Sequence, residues 1–140
     1  MRENKALSAW RADEQTIGCW LSLANAYSAE VLSRLGFDWV CVDMQHGLID
    51  YTDLVNMLPA ISTSEATPIV RVPWNEPYEI MKALDAGAYG VIVPMVNNRE
   101  EALEAVMAEE KQIILVTQTE ADIEDPDADG LHRVGTVGSI

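Results

Sequence analysis

Residues 29–51 read AEVLSRLGFDWVCVDMQHGLIDY, and this stretch decides the fold. A helix-like run over 28–35, with Ser28 as its expected N-cap, stops at Gly36, the residue type that closes helices in the left-handed conformation. Residues 39–44, WVCVDM, then form an almost unbroken apolar run. Such a run suits a strand covered on both faces, as in a parallel sheet, better than one with a wet side. A polar loop follows. Asp50 then caps a second helix over 51–62, with Leu54, Val55, Leu58 and Ile61 on one side.

The same alternation repeats outward in both directions. Further strands are expected over 17–23, 68–73, 90–95 and 113–118, and further helices over 77–86 and 99–109. Pro77 suits a first helical turn and Gly87 a helix end. Repeated β-α units with right-handed crossovers give a parallel α/β sheet, either open or closed into a barrel. The segment EADIEDPDADG at 120–130 breaks the pattern with acidic, turn-forming residues, and 131–140 reads as one more short strand or a frayed end.

Composition narrows the function. The 140 residues are one domain by length, expected as a single unit over 1–140. Nine Lys and Arg against 23 Asp and Glu give a net charge of −14, which argues against nucleic acid or an anionic membrane as partner. No apolar run is long enough to span a bilayer, and the first residues hold no signal-peptide core. Cys19 and Cys41 lie in apolar runs without metal-like spacing. Buried free thiols, and hence a cytoplasmic location, are expected. The four tryptophans are expected to pack in the core, with Trp20 and Trp74 also able to wall a pocket.

Ligands of parallel α/β folds bind beyond the carboxyl ends of the strands. That rule selects Asp43 and His46 after the second strand, Arg71 in the third, and Gln118 and Glu120 after the fifth. Histidine is the side chain suited to moving a proton near neutrality, and Asp43 could orient it; a surface histidine capping a loop is the plainer alternative. Arg71 interrupts an apolar strand, so its fork must meet a substrate carboxylate or a structural partner, Asp43 or Asp85. Asp85 sits at a helix end, where a carboxylate opposes the dipole. Glu120 is a hard oxygen ligand suited to a divalent ion, though one carboxylate makes no site.

Taken together, the segments GCWLSL, AEVLSRLGFDWVCVDMQHGLIDY, PIVRVPWN, LDAGAYGVIVPMVNNREEALEAV and, more weakly, LVTQTE resemble the HpcH/HpaI aldolase family. The likeness is close over 17–107, while 108–140 is shortened and divergent. It implies a (β/α)₈ TIM barrel and a class II pyruvate aldolase, splitting 4-hydroxy-2-oxo acids into pyruvate and an aldehyde with a bound Mg²⁺, Mn²⁺ or Co²⁺. By resemblance, His46 is the base of a D-x-x-H-G motif that begins at Asp43. Arg71 steadies the substrate oxyanion, and Asp85 raises the basicity of the histidine. Gln118 contacts substrate and Glu120 binds metal; Trp20, from its place beside the strand end, is a further substrate-binding candidate.

The departures set further expectations. A closed barrel takes about 250 residues, so this chain has room for about five βα units, a partial barrel. The family's glycine-rich stretch before the Q-x-E strand is missing, and residues 129–138 offer no Asp where a second metal ligand belongs. Three explanations stand: a shortened or degenerate gene product, a deliberately cut chain, or a half-barrel completed by self-association as a homo-oligomer. Open strand edges and a bare inner face favour self-association.

Overall fold

The computed structural model describes residues 3–107, 113–115 and 136–138. Strands β1 (Gly18–Leu21), β2 (Trp39–Asp43), β3 (Thr67–Arg71), β4 (Gly90–Ile92) and β5 (Ile113–Leu115) lie side by side in chain order, all parallel. Helices α1 (Lys5–Arg11), α2 (Ala26–Ser33), α3 (Tyr51–Ile61), α4 (Pro77–Asp85) and α5 (Arg99–Met107) precede or link them. The α/β class and the five parallel strands agree with the sequence reading. The last strand, β6 (Thr136–Gly138), instead pairs antiparallel with β5, so the sheet ends in a returning strand rather than another βα unit. Among the described residues no helix is long and apolar enough to cross a membrane.

Local chemistry sets the helix ends. Asp50 and Asp53 form a reciprocal capping box at the start of α3. Helix α2 begins earlier than expected, because Asn25 and not Ser28 is the cap: the Asn25 side chain accepts from the Ser28 backbone N–H. Gly36 and Gly87 follow α2 and α4 with φ of +91° and +110°, where a side chain would be strained. The sequence reading did not include α1. Asn4 caps it, and it docks by Ala6 and Leu7.

The two sheet faces do different work. Leu21, Val40, Val42, Val70 and Val91 point to one face and pack against Leu54, Leu58, Ile61, Ile80 and Leu84 of the helices. Burying each such side chain contributes about 1.5–3 kcal/mol. Lateral register puts Trp20, Cys41 and Ile69 in one row of the other face, and Asp43, Arg71 and Ile92 in the next row toward the strand ends. This second face would line the inside of a barrel. It carries the charged residues because the helix-facing side is filled with aliphatic groups.

Candidate active site

Asp43 ends β2 and Arg71 ends β3, directly opposite each other in the ladder. The guanidinium grips the carboxylate sideways: Nε donates to Oδ1 at 2.9 Å and Nη2 to Oδ2 at 2.6 Å. The Trp20 indole N–H donates to the same Oδ2 at 3.1 Å, and the Arg71 guanidinium carbon lies 5.0 Å from the Trp20 ring centre. Two backbone donors complete the shell, the N–H groups of Gln45 at 2.9 Å and His46 at 3.3 Å, both to Oδ1. Five donors thus converge on one carboxylate that is only 2% exposed.

The electrostatics follow from that count. Burial by itself pushes the Asp43 carboxyl up. The Arg71 fork, the Trp20 indole and the His46 and Gln45 N–H groups outweigh it and bring the group down to about 2. Asp43 is therefore a fixed anion. Beneath it, burial pushes the Cys41 thiol up to about 12, so this side chain stays protonated and unreactive. Cys19 is also a free thiol but only half-buried, which departs from the expectation that both would be enclosed. Trp20 and Trp74 are likewise rim residues, 43% and 51% exposed, and not core.

The loop after β2 is held by the same carboxylate. Gly47 lies so close to the Asp43 carbonyl that a Cβ would collide with it, and the Leu48 N–H donates to the Ser22 carbonyl at 3.3 Å. Only glycine permits that approach, and it folds the loop back over the ends of β1 and β2. His46 sits in this loop, its side chain exposed to solvent and its backbone anchored to Asp43.

The structure thus brings Asp43, His46, Arg71 and Trp20 together at the carboxyl ends of the strands. The Arg71–Asp43 pair was one of the two alternatives open for the arginine, and Trp20 attaches to that pair. Asp85 is not brought to this cluster within the chain. It is the last residue of α4, exposed, four residues before Tyr89, whose N–H bonds the Pro68 carbonyl at the start of β3. That places Asp85 at the rim opposite His46 within this chain. Gln118 and Glu120 lie outside the described residues. Among the described residues no group of three or more His, Cys, Asp or Glu could hold a metal ion, and the Asp43 oxygens are already taken by donors. These residues alone do not fit a divalent ion.

One feature near this rim escaped the sequence reading. The Lys82 ammonium lies 4.6 Å and 5.3 Å from the ring centres of Tyr51 and Tyr78. The i, i+4 spacing of Tyr78 and Lys82 on α4 was the available signal.

Comparison with known proteins matches residues 16–118 to the HpcH/HpaI aldolase/citrate lyase family. A hydroxypyruvate/pyruvate aldolase of Rhizorhabdus wittichii is 48% identical over 99 residues, covering 71% of this chain and 39% of that protein. A 5-keto-4-deoxy-D-glucarate aldolase of Escherichia fergusonii is 45% identical, covering 75% of this chain and 41% of that protein. The chain thus spans about two-fifths of the length of the curated relatives it matches. Among solved structures, an HpcH/HpaI aldolase/citrate lyase family protein of Burkholderia cenocepacia superposes with a TM-score of 0.69 at 32% identity. It covers 93% of this chain and 48% of the other.

Proposed function

We propose a function from one premise: this chain belongs to the HpcH/HpaI aldolase/citrate lyase family. On that premise it is a carbon–carbon lyase of the pyruvate aldolase type, with a 4-hydroxy-2-oxo acid as substrate. The observation that carries the reading is the open end of the Arg71 fork. Its sideways grip on Asp43 uses Nε–H and one Nη2–H. A guanidinium has five N–H donors. The remaining three have no side-chain or backbone acceptor among the described residues. They form a planar fork beside the His46 loop, which suits the carboxylate or oxyanion of an oxo acid.

In this reading Arg71 receives the oxo-acid end of the substrate. His46 takes the proton of the 4-hydroxyl. The C3–C4 bond breaks, the aldehyde departs, and the electron pair moves into the 2-oxo group to give the pyruvate enolate. The Arg71 N–H groups offset that charge from fixed positions, which is where such donors contribute most. A proton returned to C3 completes pyruvate. Asp43 keeps the arginine charged and aimed. A divalent ion belongs to the reading through Glu120, with Gln118 as a substrate contact, but no step is assigned to it, because the described carboxylates do not form its site.

A second reading has one observation in its favour. Among the described residues strand β1 pairs only with β2, which leaves an open edge with Ile17 70% exposed beside it. Such an edge suits a non-catalytic half-barrel that completes itself with another copy. One experiment separates the two. Supply 4-hydroxy-2-oxoheptanedioate with Mg²⁺, Mn²⁺ or Co²⁺ and follow pyruvate, with His46→Ala as control. The lyase reading expects at least a 100-fold loss in the control, the usual scale for a proton-transfer group. Equal, background-level pyruvate from both proteins, together with a dimer on a sizing column, establishes the second reading.

A further inference from the structure

We propose that Trp20 is a positioning residue that acts on substrate only through Arg71. The proposal rests on the reading of Arg71 as the group that receives the oxo acid. Two independent contacts support it. The indole N–H donates to Asp43 Oδ2, the oxygen that also takes Arg71 Nη2–H. The indole face lies under the guanidinium, 5.0 Å from centre to carbon. Trp20 therefore touches both members of the ion pair at once, by a hydrogen bond to Asp43 and a cation–π contact with Arg71.

The geometry explains why both contacts are needed. A sideways ion pair leaves the guanidinium plane free to tilt against the carboxylate about its two hydrogen bonds, and the arginine side chain has several soft torsions. The Trp20 ring blocks one face and sets the tilt of that plane. The indole N–H fixes the carboxylate that the plane hangs from. Register makes this possible: Trp20 pairs with Cys41, one inward-facing row below Asp43, so its long side chain reaches diagonally to the next row. The open N–H groups of Arg71 then point where Trp20 sets them. Phe at this position would keep the face and lose the N–H; Leu would lose both.

The test is a double-mutant cycle on oxalate binding, measured by calorimetry with Mg²⁺ present. Oxalate is a planar dianion that resembles the pyruvate enolate. Trp20→Leu should weaken oxalate about tenfold and Trp20→Phe about threefold, with Phe rescuing part of the loss. In the Arg71→Lys background, which lacks the planar fork, either Trp20 change should alter affinity by less than about twofold, because the group it acts on is gone. A tenfold effect that persists in the Arg71→Lys background would mean that Trp20 touches the ligand itself, and would overturn the proposal. No loss in Trp20→Leu would also overturn it. If Arg71→Lys binds oxalate as well as the parent, or the parent binds none, the assignment of Arg71 fails first. Trp20 is half-exposed, so both variants should keep the fold, and a thermal melt of each verifies that.

Discussion

The two ends of β2 and β3 are finished in opposite ways. At the amino end, donors and acceptors close on one another. Trp10 and Trp39 both donate to Thr16 Oγ1, at 2.8 and 3.1 Å. The Ala6 N–H donates to Thr67 Oγ1 at 3.3 Å, the Asn4 amide donates to the Tyr89 carbonyl at 3.0 Å, and Lys5 pairs with Glu65. At the carboxyl end, a buried ion pair leaves part of its donor set unused beside an exposed histidine. The two rims belong to the same strands and the same fold. Where the network closes on itself it stabilises; where it stays open it can bind.

The largest effect belongs to Arg71. Arg71→Ala leaves a buried carboxylate with three of its five donors and no compensating charge. Removing one partner of a buried pair costs about 3 kcal/mol or more, so the urea midpoint should fall sharply and oxalate binding should vanish. A loss under about 0.5 kcal/mol would mean that the pair is solvated like a surface bridge. The carboxyl rim would then be no more special than the amino rim.

Acid reads the same pair without mutation. The folded Asp43 group lies at about 2, below its ordinary value of 3.8. Its contribution is therefore present above about 4 and is lost as pH falls through about 2. The shift corresponds to roughly 2 kcal/mol. A stability profile over that window should show a steep fall, and Asp43→Asn should flatten it. An unchanged slope in Asp43→Asn would assign the acid limb to other carboxylates.

The contrast also shows what the sequence could carry. The five parallel strands were legible because apolar residues run almost without interruption along them. Their ends were not, since Val72 and Val93 stay buried after the ladder stops. Helix α1 was missed because only Ala6 and Leu7 of its seven residues are buried, too few to show a period. Asp43 and Arg71 stood out as charges in apolar strands. The role of Trp20 did not, because a diagonal reach across the register depends on side-chain direction. Asp85 is the reverse case. The β-α-β order alone sends the end of every helix to the amino rim, a signal that a motif resemblance does not contain.

The smallest effect should come from the amino rim, at Asn4. Its side-chain oxygen accepts from the Leu7 N–H and caps α1, and its amide donates to the Tyr89 carbonyl. Asn4→Ala removes both bonds, and loss of a cap of this type costs about 1 kcal/mol. The released Tyr89 carbonyl and Leu7 N–H are only part-buried, so the loss should stay close to that value. Among the described residues these two bonds lie at the amino ends of the strands, away from Asp43, and sites that far apart contribute independently. Asn4→Ala should therefore lower the urea midpoint slightly while oxalate affinity and the acid limb stay at parent values. A change in oxalate affinity comparable to that of Trp20→Leu would show that the closed rim and the open rim are one cooperative network, and the contrast between them would not survive.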